Sequence, residues 1–196
     1  KHPLTLIGID FNDESLEVTK HTLTAADVPF AVQWGDIGDP EAAVLELEKQ
    51  GYGRDDVLHV RSFLDHDRPY VAPARPDDAF KMYTRGVYVK NDGTVIKPRE
   101  MLQSLVEHLE RWSDAVGPHG MCILEAGQLP PLVAGYNMEH CVSLAFDCCQ
   151  SLSHQYLVPL PQWLLCAAGA GLFPDVSSLT AFPDKISRIM LSHFKP

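Results

Sequence analysis

The chain has 196 residues, of which 45% are hydrophobic and 21% charged, and its formal net charge is −10 at pH 7. This length can build one sizeable core, and the composition is typical of a globular protein. The acidity argues against a general binder of nucleic acid or of anionic membranes, and no apolar run approaches the roughly 20 residues of a membrane span.

Strand and helix patterns alternate along the N-terminal third of the chain. They predict a strand over 4–9, a helix over 13–26 capped by Asn12 or Asp13, a strand over 30–34, a helix from Asp39-Pro40 to Gly51, and a strand over 57–60. This order is typical of an α/β fold with a mainly parallel sheet that helices cover on both faces. We therefore predict a Rossmann-like, doubly wound sheet.

The alternation is interrupted by residues 67–97, which we predict to be a small insertion. Its first part, 67–85, is rich in Pro and charged residues and indicates an irregular loop. Its second part, 87–96, indicates a hairpin that turns at Asn91-Asp92-Gly93.

The C-terminal half returns to regular elements. Pro98 begins a long amphipathic helix that Gly117-Pro118 ends. The later elements are a strand over 121–125, helices over 135–152 and 161–171, and strands near 178–182 and 189–194. We expect an antiparallel strand near the C-terminus.

Two successive strands end in acids, Asp10 and Asp36. In nucleotide-binding α/β folds a carboxylate at a strand end accepts hydrogen bonds from ribose hydroxyls. The pair would suit a nucleoside bound across the strand ends, with the ribose at Asp10 and the adenine amino group at Asp36. A nicotinamide dinucleotide and S-adenosylmethionine (SAM) both fit, since both contain adenosine. The alternative is that each acid only caps the helix after it.

The end of the third strand, Arg61 to His66, would lie beside the reacting end of such a ligand. His59, Asp65 and His66 could serve as acid, base or metal ligand. His59 alternates with apolar neighbours and fits a structural histidine better, so we favour Arg61 and Asp65 as functional residues.

Polar residues set in apolar surroundings are frequent from Glu125 to Gln155. Mixed nitrogen and oxygen donors from separate segments would suit an octahedral divalent metal. The chain also has five cysteines in apolar surroundings and no CxxC pair, which indicates reduced thiols and a cytoplasmic location.

Six stretches carry a family resemblance that spans most of the chain. They are LIGIDFNDESLEVTK, GDIGDP, DVLHVRSFLDHDRPY, GVYVKNDGTVIKPREMLQSLVEHLERW, GMCILEAGQLPP and SHQYLVPLPQWLLCAAGAGLFP. With them the chain resembles the class I SAM-dependent methyltransferases embedded in polyketide synthases that methylate malonyl groups on an acyl carrier protein. The segment HVRSFLDH with the later GVYV hairpin is the most specific part.

The resemblance implies a role for each candidate residue. SAM would be the cofactor: Asp10 would bind its ribose, with Phe11 and Asn12 beside it. Asp36 and Ile37 would contact the adenine, and Arg61 and Ser62 would lie under the methionine part. The acceptor would be a small acyl or polyketide-type group, carried by an acyl carrier protein in some relatives.

Some relatives also hold one divalent metal, Fe or Mn, that stabilises a malonyl enolate. By resemblance His140, His154 and Gln155 are the candidate catalytic residues. His140 and Gln155 are also candidate metal ligands. Gln128 is the third candidate ligand, at the position after the strand ending in Glu125 where relatives carry a His.

The family's first strand and glycine-rich loop are not in this chain. We therefore expect residues 1–196 to be a methyltransferase-like catalytic domain within a larger polypeptide. Two alternatives stay open, namely a nicotinamide-dependent Rossmann oxidoreductase and a non-catalytic methyltransferase-like scaffold.

Overall fold

Two units make up the chain, Lys1–Tyr52 and Gly53–Pro196. The structure, a computed structural model, describes residues 3–75, 84–140 and 150–196. Each unit combines helices with strands, so the α/β class predicted from the sequence is found in both.

The N-terminal unit is built around two parallel strands. Strand β1 (Leu6–Asp10) pairs with β2 (Phe30–Trp34), and helix α1 (Asp13–Ala25) connects them before helix α2 (Pro40–Lys49). Asn12 caps α1, because its Oδ1 accepts from the backbone N–H of Glu14 at 2.8 Å. Gly8 lets α1 approach β1 closely, since a Cβ there would lie 2.5 Å from the Thr19 methyl group.

The C-terminal unit contains a mixed sheet in the order β3–β6–β9–β7, with β8 also paired to β9. The strands are β3 (His59–Ser62), β6 (Met121–Ala126), β7 (Phe173–Pro174), β8 (Thr180–Phe182) and β9 (Ile189–Lys195). Strand β6 runs parallel to β3 and antiparallel to β9. The carboxyl ends of β3 and β6 therefore meet at one edge of the sheet.

The hairpin of this unit consists of β4 (Tyr88–Val89) and β5 (Val95–Ile96), which pair antiparallel. Gly93 has φ +83 in the turn, a conformation that L side chains rarely adopt. The Tyr88 hydroxyl donates to the Leu157 carbonyl at 3.0 Å, so the hairpin is tied to the segment before the last helix.

Helix α3 (Pro98–Ala115) supplies much of the core. Its buried face includes Met101, Leu102, Leu105, Leu109 and Trp112. It packs on helix α5 (Leu160–Gly169), where the Cys166 thiol contacts the Leu102 carbonyl at 3.7 Å. The Trp163 ring of α5 then meets the Phe194 ring of β9 edge-on at 5.4 Å. These contacts join helices and sheet into one core.

Three predictions about the elements need correction. The sheet of the C-terminal unit is mixed, because β7, β8 and β9 follow one another through loops without crossover helices and pair antiparallel. The third strand covers 59–62 and not 57–60, since His59 is the first residue opposite β6.

The predicted helix over 135–152 is also wrong at both described ends. Helix α4 (Pro131–Tyr136) begins earlier at a proline and ends at Asn137, whose φ of −124 and ψ of 27 are not helical. Short 3₁₀ turns follow at Met138–His140 and Gln150–Ser153. The middle of the predicted helix, 141–149, lies outside the described residues.

Within those same described ranges, no helix combines the length and the apolar character that crossing a membrane requires.

The α3 core gives a stability test. Leu109 is 0% exposed, and replacing it with Ala would remove apolar contacts and leave a cavity. We expect Leu109→Ala to lower the free energy of unfolding by about 2–5 kcal/mol in urea denaturation followed by circular dichroism. The control Leu165→Ala, on the half-exposed side of α5, should change it by about 0.5 kcal/mol or less. Equal losses would contradict the assigned core.

Candidate active site

The two predicted strand-end acids of the N-terminal unit lie at one edge of its sheet. Asp10 is opposite Trp34 in the strand register, and its carbonyl accepts from the Gly35 N–H at 3.0 Å. The Asp10 Oδ1 accepts from the Asn12 N–H at 2.9 Å, and the Asp36 Oδ1 accepts from the Gly38 N–H at 2.7 Å. Among the described residues, the recorded hydrogen bonds hold each carboxylate through one oxygen, so the other oxygen can accept from a ligand.

Aromatic side chains flank these acids. Phe11 is 69% exposed and Trp34 59% exposed, and the Trp34 Nε1 donates to the Phe11 carbonyl at 2.8 Å. Carboxylates for hydroxyl groups and flat apolar rings for a base are the groups that an adenosine requires. The edge thus has suitable chemistry, and the individual contacts of Phe11, Asn12 and Ile37 with a cofactor stay predictions.

The carboxyl ends of β3 and β6 in the C-terminal unit hold a cluster of charged side chains. We call it the buried ionic cluster; its members are Arg61, Asp65, His66, Arg68, His108 and Glu125. Ligands of α/β proteins bind at this edge of a sheet. The cluster is therefore placed where chemistry is expected.

Asp65 is the centre of the cluster. Its Oδ1 accepts from the Arg61 guanidinium and from His108 Nε2 at 3.0 Å, and its backbone carbonyl accepts from Arg68 Nη1 at 2.6 Å. Burial raises the pKa of Asp65, but Arg61 and the His108 hydrogen bond outweigh burial and hold the pKa below its usual value. Asp65 is thus an ionised carboxylate and not a proton donor; its Oδ1 has both side-chain partners, and its buried Oδ2 has no hydrogen-bond partner in the described residues.

His108 and His59 are neutral members of this region. Burial, together with the positive charge of nearby Arg61, lowers the pKa of each to about 4. For His108 burial outweighs the hydrogen bond and charge of Asp65, which raise the pKa. Because a neutral His donates through one ring nitrogen only, His108 must carry its proton on Nε2, facing Asp65. His59 packs edge-on to Trp112 at 5.5 Å, as expected for a structural histidine.

Arg61 is nearly fully buried, and its guanidinium carbon lies 4.5 Å from the centre of the Trp112 ring. Its Nε and Nη1 have no hydrogen-bond partner within the described parts of the chain. Ser62, the next residue, is exposed at the strand end. Their predicted position under the methionine part of a cofactor is not tested by these contacts.

His66 and Glu125 form a second pair. The His66 Nδ1 lies 2.5 Å from the Glu125 Oε1, and the backbone N–H groups of Asp65 and Ala126 donate to the same carboxylate at 2.9 and 2.7 Å. Burial lowers the pKa of His66, but the hydrogen bond and charge of Glu125 overcome this and raise the pKa above its usual value. A carboxylate that orients an imidazole is the arrangement of a general base and its positioning group.

The backbone beside His66 is unusual. Phe63 has φ +57, a rare conformation for a bulky residue, and its ring meets the His66 ring at 6.4 Å. Backbone of this kind occurs preferentially at functional sites. Together with the Glu125 contact, it fixes where the imidazole lies.

The predicted catalytic residues of the C-terminal half are placed differently. His140 and His154 are exposed, and His154 has φ +59. The amide oxygens of Gln155 and Gln128 are both inaccessible and without a hydrogen bond in the described residues. No hydrogen bond recorded there joins any of the four to another, so a catalytic role for them stays a prediction.

The donors do not fit the predicted Fe or Mn centre. Across residues 3–75, 84–140 and 150–196, no three His, Cys, Asp or Glu side chains are grouped so that they could hold a metal ion. Gln128 and Gln155 would supply only neutral amide oxygens, and the exposed His140 ring lies 3.5 Å from Glu139. The metal prediction is thus not supported, and no chemical step is assigned to a metal.

Sequence reasoning considered His66 and Glu125 separately and missed their pairing. The signal was available, because the predicted strand over 121–125 ends at Glu125, as the predicted strands before Asp10 and Asp36 end in acids. In the structure β6 extends one residue further, to Ala126. The same rule that selected those acids would have placed Glu125 beside the end of β3.

Comparisons with known proteins agree with this architecture. The structure resembles a solved structure described as a pericyclic reaction enzyme, with a TM-score of 0.55 and 12% identity. It also resembles LepI in complex with SAM, with a TM-score of 0.52 and 12% identity. All of this chain is covered, but it spans only 37% of either neighbour. These likenesses define a shared fold.

The family follows from the sequence itself. The sequence model of the AprA MT2-like domain matches residues 1–192. The chain belongs to this family of methyltransferase domains, which confirms the methyltransferase class predicted above. The match does not show that the domain methylates malonyl groups. No curated protein sequence matches the chain significantly.

The two low-pKa histidines predict how stability depends on pH. Their folded-state pKa values of about 4 lie below the ordinary 6.5. The stability they contribute is therefore complete above pH 6.5 and is lost as the pH falls toward 4. In this range each histidine should add up to about 1.4 kcal/mol per pH unit to the slope of the free energy of unfolding against pH.

We expect His108→Gln to remove one such slope between pH 6.5 and 4.5, measured by urea denaturation at several pH values. The glutamine amide can still donate to Asp65. The exposed His119 provides the control, and His119→Gln should keep the full slope. A slope unchanged in His108→Gln would show that His108 is not held neutral.

Proposed function

We propose that residues 1–196 are a SAM-dependent methyltransferase domain that methylates a small acyl or polyketide-type carbon acceptor. The family match over residues 1–192 carries this proposal. A carrier protein that holds the acceptor, a cytoplasmic location and a Rossmann-like, doubly wound arrangement are further parts of it. The sequence resemblance supports the carrier protein and the sheet arrangement, and the cysteines in apolar surroundings support the location.

The proposed cofactor contacts follow the strand-end acids. Asp10 accepts hydrogen bonds from the ribose hydroxyls of SAM, and Asp36 accepts from the adenine amino group. The Asn12 N–H holds the Asp10 carboxylate in place before a ligand binds. A preformed acceptor costs less ordering when the cofactor arrives.

His66 is the proposed general base. Its Nδ1–H donates to Glu125, so the lone pair on Nε2 can take a proton from the acceptor carbon. The C–H electron pair would then form an enolate of the acceptor. Bound SAM would supply its methyl group to the enolate carbon and become S-adenosylhomocysteine, and the His66 imidazolium would release its proton to solvent. Glu125 stabilises the charge that His66 gains.

Calorimetric titration of the full-length protein tests the cofactor. S-adenosylhomocysteine should bind, and Asp10→Asn should weaken binding about 10- to 100-fold, since a hydrogen bond to a charged group is lost. The control Glu48→Gln removes the same charge from an exposed position on α2 and should not change the affinity.

The alternatives give different titrations. Binding of NAD in place of S-adenosylhomocysteine would favour the oxidoreductase, and binding of neither would favour the non-catalytic scaffold.

Turnover and its pH profile test the base. We expect His66→Gln to lower kcat about 100-fold or more with an unchanged affinity for S-adenosylhomocysteine. In Glu125→Gln the pKa of His66 should fall, because the charge that raises it is gone. The base is then deprotonated at lower pH, so the rising limb of the pH–rate profile should move to lower pH. Normal kcat in His66→Gln would contradict this role.

A further inference from the structure

The proposed base and the proposed cofactor contacts belong to different units of the chain. His66 and Glu125 lie in the unit Gly53–Pro196, whereas the strand-end acids Asp10 and Asp36 lie in the unit Lys1–Tyr52. Proton removal and cofactor binding are thus assigned to separate units. The two steps of the proposed reaction can be separated if the base is complete within its own unit.

The Glu125 carboxylate is held on both oxygens by groups of its own unit. Its Oε2 accepts from the Asp65 N–H at 2.9 Å, and its Oε1 accepts from the Ala126 N–H at 2.7 Å. The same Oε1 lies 2.5 Å from His66 Nδ1. A carboxylate with these three partners needs no further ligand in order to be oriented.

The backbone of His66 is also held from within this unit. Its carbonyl accepts from the N–H of Tyr156 at 2.6 Å, and Tyr156 is itself buried. The Tyr156 hydroxyl donates to the Val89 carbonyl of the hairpin at 3.4 Å, and its ring meets the Tyr70 ring at 6.1 Å. The hairpin and the segment before α5 therefore support the loop that carries the base.

The His66 imidazole is nevertheless open to water and to a reactant. Its side chain is 11% exposed, whereas Glu125 behind it is 1% exposed. In the described parts of the chain, the hydrogen bond recorded for the ring uses Nδ1. Nε2 can therefore accept a proton, and the ring can exchange that proton with solvent.

We propose that the protein enolises a carbonyl acceptor without its cofactor, and so exchanges an acidic C–H hydrogen with water as an activity separate from methyl transfer. The inference rests on the base of the proposed function and adds that this base is complete before SAM binds.

The exchange is balanced in atoms and electrons. His66 Nε2 takes the proton from carbon, and the C–H electron pair moves into the enolate. The imidazolium exchanges this proton with solvent and returns another one to the same carbon. Acceptor and base are both regenerated, so the cycle consumes no oxidant, reductant or cofactor.

Deuterium exchange with the full-length protein in D₂O tests the inference. The probe is the acetoacetyl thioester of N-acetylcysteamine, and proton NMR follows the hydrogens on the carbon between its carbonyl groups. Without SAM, the wild-type protein should exchange them about 10-fold or more faster than a protein-free blank of the same buffer. Saturating S-adenosylhomocysteine should change this rate by less than about twofold, since a base that is already ordered gains nothing from the cofactor.

Three variants connect the exchange to the pair. His66→Gln should lower the rate above the blank about 100-fold or more, because an amide does not take up the proton. His119→Gln, the same change at an exposed histidine, should keep the wild-type rate. In Glu125→Gln the pH profile of exchange should move to lower pH together with that of kcat, since one base serves both reactions. A role in folding alone would not move a pH profile.

The outcomes separate this activity from the proposed function. Exchange that requires S-adenosylhomocysteine overturns the inference, because the cofactor then completes the base, while methyl transfer stands. Wild-type exchange at the rate of the blank, or unchanged exchange in His66→Gln, overturns it as well. Titration with S-adenosylhomocysteine and methyl transfer from SAM to the same probe are measured in parallel. If both are absent while exchange persists, the methyltransferase function fails and the exchange activity stands.

Discussion

The Asp65 carboxylate is the interaction on which the C-terminal unit depends. An ionised carboxylate in a protein interior is costly unless partners replace the water that it loses. Asp65 obtains them through its Oδ1, from Arg61 on β3 and from His108 on α3. Its carbonyl and N–H are used as well, by Arg68 and Glu125. One residue thus links the ends of β3 and β6 to the central helix.

This arrangement holds the loop after β3 against the core. Breaking a buried ion pair by removing one partner typically costs about 3–5 kcal/mol, because the remaining charge stays unpaired. A path of residues 61–68 that separated Arg61 from Asp65 would leave both buried charges without this partner. The positive φ of Phe63 is one consequence, since the chain must turn sharply to bring both residues inward. His66 is carried on the same turn.

Local patterns predicted the parts of this structure that depend on neighbours in sequence. The caps at Asn12 and Asp39, the α3 stripe and the hairpin turn at Gly93 all follow from residues a few positions apart. The His66–Glu125 pair joins residues 59 positions apart, and no local pattern encodes that distance. The helix over 135–152 failed for the opposite reason, because apolar spacing ignores the helix end that Asn137 imposes.

Packing gives different roles to His108 and His66, the two histidines of the buried ionic cluster. His108 is buried against Asp65, whose charge Arg61 already neutralises, so a second positive charge there would be uncompensated. His66 contacts Glu125, a carboxylate whose other hydrogen bonds come from neutral backbone groups, so its positive charge is balanced. The first is restricted to donating one hydrogen bond. The second has a raised pKa and can take up a proton, which is the property that acid–base chemistry at this sheet edge requires.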